Sequence, residues 1–412
     1  MKIKPTKSRP PLSATKPPRP LAVCMAAGLT VMYLSPAAQA GVFIWDGGAA
    51  NTNNWATESG KNWNTKTTPP SDGTADLQFA GSLRTSPNME ISYNINSITF
   101  NSGASPFSLG NSAGAVLTIQ GGGIANADDS VQTVNLSAIV LGASQSWNAG
   151  TVAGGSLVFG GATLNLGTSH TLTVAGSNNT SIANAISGSS SGILKTGNGT
   201  LTLTGANTFT GTTVIAASGG TLTAGAVNAL QNTSAITVNS SGTLLLAGAG
   251  AINRVNNAAG FTLAGGKLST AGLSTSSETL GSLTLSANST IDFGSGFGDQ
   301  LTFTGVGTHT AGSALSILNW SGIGSTLGIS TSDRLIFNGT VTDFTNVYSQ
   351  ADVSFGGFGT GYRAISFNSN TQFEIVAIPE PETIFGALAL LGLVGYRERR
   401  RLAVLIRPRA QA

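Results

Sequence analysis

Apolar residues recur at every second position through residues 192–222, GILKTGNGTLTLTGANTFTGTTVIAASGGTL, between turns rich in Gly, Asn and Ser. A period of two is the mark of a half-buried strand, and no helical period fits the run. Leu201 and Leu203 alternate with Thr200, Thr202 and Thr204, which predicts one apolar face turned inward and one hydroxyl face turned outward. Gly197-Asn198-Gly199 and Gly205-Ala206-Asn207 flank this strand, and such residues tolerate the positive φ that short turns require. Further strands are expected around Phe209, Val214-Ile215 and Thr221-Leu222.

Weaker copies of the unit lie at 114–123, 154–176, 232–248, 260–270 and 278–294. Short strands closed by turn residues and repeated along a chain point to a solenoid, whose coils bury their apolar faces only by stacking on neighbours. On periodicity alone an antiparallel sandwich of closely spaced strands stays open. The run Leu194-Lys195-Thr196-Gly197, continued by Gly199-Thr200-Leu201, Leu203, Gly205, Asn207, Phe209, Gly211 and Thr213, resembles the autotransporter-associated β-strand repeat. That resemblance implies an all-β, right-handed parallel β-helix. At roughly 22 residues per coil, about 15 coils would fit between residues 41 and 378.

Charge changes the picture only once it is located. The whole chain has a pI of about 9.1, but six of its 20 Lys and Arg precede residue 20 and six follow residue 396. Residues 41–378 hold the remaining eight against fourteen acids, a formal charge of −6. With no basic stripe in that span, nucleic-acid binding is not expected. Charged residues make up 9% and apolar residues 40% of the chain, a balance that opposes charge-driven disorder.

The basic start, Lys2 to Arg19, leads into the apolar run Leu21–Leu34 and then into Ala38-Gln39-Ala40. This is the layout of a secretory signal peptide cleaved after Ala40, with Ala38 and Ala40 as the small residues before the cut. It predicts passage through the Sec export machinery. Cys24, the only cysteine, leaves with that peptide, so no disulfide or thiolate metal site is expected in the mature chain. At the other end Pro379-Glu380-Pro381-Glu382 precedes the apolar run Ile384–Tyr396, and Arg397, Arg399, Arg400 and Arg401 follow. An uncharged apolar helix closed by an Arg cluster fits a transmembrane segment with the Arg side in the cytoplasm. The arrangement closely resembles the PEP-CTERM sorting signal of Gram-negative bacteria, which implies processing at Pro379, Glu380 and Pro381 by an exosortase-like transpeptidase. Four segments follow: a signal peptide at 1–40, β-helix repeats at 41–290, a closing β module at 291–378 with longer strands and more aromatics, and the sorting tail at 379–412.

Candidate chemistry is sparse. Trp45, Trp55 and Trp63, three of five tryptophans, cluster near the start, and either cap the first coil or present a sugar platform. Capping is favoured because every solenoid needs it. Asp128-Asp129, the adjacent acid pair, follows three glycines and is expected to be solvated in a turn. His170 and His309 lie in Thr-rich strand contexts, and GSGFGD at 294–299 is one residue short of a Ca²⁺-binding repeat. No catalytic residue, metal site or cofactor is therefore expected. The expected function is an exported, cell-surface or extracellular, structural or adhesive β-helix. It is held first at the inner membrane through Ile384–Tyr396, with extracellular polysaccharide or biofilm as its setting. The alternative is a carbohydrate-binding or polysaccharide-degrading β-helix, which would need carboxylates stacked on one face.

Overall fold

A computed structural model describes residues 41–378, apart from 58–60, 151, 249–252, 274, 325 and 330, together with 393, 394, 396 and 398. The calls on the signal peptide, including Ala38 and Ala40, lie outside the described residues, as do Pro379, Glu380, Pro381, Arg397, Arg399, Arg400 and Arg401. Of the apolar run 384–396, only Leu393, Val394 and Tyr396 are described, and they are helical. No described helix is long and apolar enough to cross a membrane.

The chain is an all-β parallel solenoid of about 10 turns with almost no helix. Its strands stack into a 15-stranded and a 13-stranded sheet, joined towards the end by a five-stranded one. One coil shows the plan. Gly192–Lys195 lies in the first sheet and Thr200–Leu203 in the second. Thr213–Ile215 then returns to pair in parallel with Gly192–Lys195, and Thr221–Ala224 with Thr200–Leu203. Leu201 and Leu203 are buried, while Thr202 is half-buried and Thr204 exposed, as the alternation requires. Phe209 is buried but belongs to no strand: residues 205–210 form an irregular corner, so the strand expected there is absent.

Register turns this alternation into a continuous core. Leu201 sits beside Leu222, Leu222 beside Leu244 and Leu244 beside Leu268. The column continues through Ile291 and Ile317 to Phe355. Each side chain covers the one in the coil before it, so the apolar surface left open is confined to the two ends of the stack. The coils are fewer than the roughly 15 expected at 22 residues each because they vary in length. Lys195 meets Ile215 after 20 residues, Trp147 meets Val174 after 27, and Val42 meets Asp76 after 34. Gly121-Gly122-Gly123 makes no turn of its own but lies within the single strand Leu117–Asn126, between its pairing with Ala138–Leu141 and its pairing with Gln145–Ala149. Gly123 has φ +69°, and a Cβ there would strike the Ser146 carbonyl.

Candidate functional site

The first coil must cover the open edge of Val42–Trp45, and residues 61–64 fold back to do so. Asn64 donates its N–H to Ile44 O at 2.8 Å, while the Ile44 N–H is accepted by Asn64 Oδ1 at 3.0 Å. Beneath this flap Trp45, Trp55 and Trp63 are all 0% exposed. Trp63 meets both other indoles edge-on, at 5.2 and 5.9 Å between ring centroids. Its own Nε1 donates to Trp55 O at 2.9 Å. The three rings are thus a plug, and none is available to stack on a sugar. Glu90 fastens the loop: its carboxylate accepts N–H bonds from Trp55, Ala56 and Thr57. Burial opposes its ionised form, yet these bonds hold its carboxyl below the ordinary range.

Lys195 is the unexpected side chain of the repeat. It occupies an interior position in the first sheet, in register between Val174 and Ile215, and is almost fully buried. Its ammonium donates to the carbonyls of Thr196, Gly197 and Gly219 at 2.7, 2.8 and 3.0 Å. Burial pushes its pKa down to about 8. The lysine therefore ties one corner to the equivalent corner of the next coil. The inward position of Lys195 was implicit in the two-residue period, since it follows Ile193 by two, but its charge argued against burial.

Toward the other end, buried carboxylates take over the same task. Glu278 accepts the N–H groups of Arg254 and Val255 at 2.9 and 3.1 Å, and its Oε2 lies 3.5 Å from Arg254 Nη1, both side chains being fully buried. Asp299 accepts the Ser276 N–H at 3.0 Å, and Asp333 accepts those of Asp299 and Ser321, each at 3.0 Å. Gln300 pairs with Arg334, so Asp299 and Asp333 hold equivalent places in successive coils. Burial raises the pKa of Glu278 and of Asp299 despite these bonds. This spacing of 34 residues across a long loop left no periodic signal to find.

The remaining candidates also resolve into structure. Asp128 is buried and accepts the Gly103 and Ser130 N–H groups, both at 2.9 Å, which corrects its expected place in solvent; Asp129 is exposed. His170 Nδ1 is held by Leu166 O and His309 Nε2 by Ser313 O, each at 2.8 Å, and the His309 ring packs on Tyr348. Asp299, the last residue of GSGFGD, turns inward to cap Ser276. Among the described residues no group of three or more His, Cys, Asp or Glu is placed to hold a metal ion. A surface depression of about 230 Å³ is lined by Thr340, Val341, Thr342, Ser366 and Asn370, with no charged group.

Residues 193–224 match the passenger-associated-transport-repeat family. That stretch covers the strands Gly192–Lys195 through Thr221–Ala224 almost end to end, with the Lys195 corner inside it. Neither a curated protein nor a solved structure matches the chain.

Proposed function

We propose that the protein is an exported structural or adhesive β-solenoid that works as a scaffold at the cell surface or outside the cell and carries no catalytic residue. The observation that supports this most is the combination of the passenger-associated repeat at 193–224 with a body whose carboxylates serve the backbone. Glu90, Asp128, Glu278, Asp299 and Asp333 each accept main-chain N–H groups, which spends on folding the groups that a polysaccharide-cleaving cleft would need. The coils are read as right-handed, in line with the strong preference for right-handed connections between parallel strands.

In this reading a signal peptide cut after Ala40 directs the chain through the Sec machinery, and Ile384–Tyr396 then stops in the inner membrane. Arg397, Arg399, Arg400 and Arg401 stay in the cytoplasm because moving guanidinium groups through hydrocarbon is costly. An exosortase-like transpeptidase would act at Pro379-Glu380-Pro381, delivering the body to a polysaccharide-rich exterior. Terminal mass spectrometry of the protein from membrane and surface fractions tests the scheme. The expected mature form starts at Gly41 and ends within 379–381. A surface form that still ends at Ala412 would replace sorting by permanent anchoring.

A further inference from the structure

Two loops near the end of the solenoid, 293–298 and 319–332, contain no charged residue. They carry Phe297 at 68%, Ile323 at 66% and Ile329 at 60% exposure, three of the four most exposed large apolar side chains of the described body, Leu83 being the fourth. Both loops are gathered at one corner by Asp333, whose carboxylate accepts the Asp299 N–H, just after the first loop, and the Ser321 N–H within the second. The last strand of the body arrives at the same place. Gln372–Ala377 runs antiparallel to Arg334–Asn338, with Asn338 opposite Gln372 and Ile336 opposite Glu374, so its final residues lie towards Asp333. Glu374 also accepts the Gly328 N–H, from the loop that bears Ile329, at 3.2 Å.

We propose that this corner is a lipid-contacting face: Phe297, Ile323 and Ile329 dip into the interface of the bilayer that holds the C-terminal tail. The inference rests on the reading of Ile384–Tyr396 as a membrane segment. Only residues 379–383 separate Ile378 from that segment, a reach of at most about 20 Å when fully extended. A body tethered so closely presents to the membrane the end from which its chain leaves. The apolar side chains at that end stand on loops that carry no charge to desolvate on entering the headgroup and acyl-chain boundary. The local charges agree. Asp299, Asp333 and Glu374 are turned inward, and Asp292 is engaged by Lys267 and Asn319.

The test uses the full chain reconstituted into vesicles of phosphatidylethanolamine and phosphatidylglycerol. A polarity-sensitive fluorophore is placed in turn at F297C, I323C and I329C, at V131C as an exposed apolar control, and at L393C in the tail, with Cys24 replaced by Ser. Lipids with brominated acyl chains serve as quenchers. The expected result is loss of most emission at 297, 323 and 329, as at 393, with emission at 131 retained. Quenching at 393 with none at 297, 323 and 329 overturns the lipid-contacting face and leaves the tail reading intact. No quenching at 393 sinks the tail reading; the corner then stands if its three labels are quenched and falls if they are not. Apolar emission at 297 that lipid does not quench would assign the corner to a protein occupant, the tail or a second copy, and overturns the proposal.

Discussion

The two ends of this solenoid solve one problem with different chemistry. At the start, a flap at 61–64 pairs by backbone with Val42–Trp45, and three buried indoles plug the interior beneath it. At the finish, the chain reverses. Gln372–Ala377 runs antiparallel between Arg334–Asn338 and Tyr362–Phe367, so the closing sheet ends on a hairpin instead of an open parallel edge. Phe337 and Phe373 stack there with rings 5.5 Å apart and nearly parallel, and buried Glu374 meets Arg334 at 2.9 Å. The N-terminal cap is thus chiefly apolar inside, with the half-buried carboxylates of Glu90 and Asp46 on its loops. The C-terminal closure is threaded with buried charge. Loop length does not separate the two ends, since residues 46–75 leave the stack at the start as 319–332 do at the finish; at the start the loop carries its own indoles, Trp55 and Trp63, into the open end. At the finish the buried carboxylates of Asp299, Asp333 and Glu374 accept N–H groups from the loops and from neighbouring coils.

The largest effect is expected from emptying the plug. Trp63→Ala should cost about 4 kcal/mol, as removal of a fully buried aromatic does. Hydrogen exchange should rise first in peptides from 42–100 while 334–377 keeps its protection. Uniform loss of protection at both ends would show that the ends are not independently closed. Next, Glu278→Ala strands the buried guanidinium of Arg254 and frees the Arg254 and Val255 N–H groups. Chemical denaturation should report a loss of about 3 kcal/mol. A near-neutral result would mean that the Ala247 and Gly248 carbonyls, which also bind Arg254, are sufficient partners.

A smaller effect, about 1 kcal/mol, is expected from Glu90→Gln, which weakens three N–H bonds without emptying space. Its exchange signature should be confined to peptides around 54–57. The smallest and most discriminating test is pH. Burial, opposed by Arg254 or Arg334, raises the folded pKa of Glu278 and Glu374, and burial likewise raises that of Asp299. Their folded forms take up protons more readily than the unfolded chain does. The stability they withhold at neutral pH should therefore return as pH falls through those raised values towards the ordinary carboxylate range. Glu90 is lowered, so its contribution is present above its unfolded pKa and is lost as pH falls through its folded value. Mild acid should thus tighten peptides at 276–281, 299–303 and 372–377, and stronger acid should loosen 54–57, as read by exchange corrected for intrinsic rate. The same direction of change at both ends would erase the electrostatic half of the contrast.

Much of this could be read along the chain. The inward Leu201 and Leu203, the turn glycines and the repeated strand length follow from a period of two and from positive-φ requirements, which are local properties. The Trp cluster points to the cap because every solenoid must cover its first coil. The misses share a cause. Phe209 was placed in a strand because it is apolar and alternates with Thr, but the corner it fills is set by the next coil, where Asn207 Nδ2 donates to Ala229 O. Asp128 is expected in a solvated turn and Asp299 has no expected role, because nothing near them in sequence shows which N–H group waits one coil away.

The alternation along the chain is enough to make it β, to repeat its coils and to choose the apolar side of each strand, because strand pleat and turn chemistry act over a few residues. Packing between coils sets which residue stacks on which, since register depends on contacts 20 to 34 residues apart and on loops of unequal length. It alone placed Lys195 in a cage of carbonyls and Glu278, Asp299 and Asp333 inside the closing coils. A charged side chain is buried only where its partners converge, and here those partners are main-chain groups from neighbouring turns.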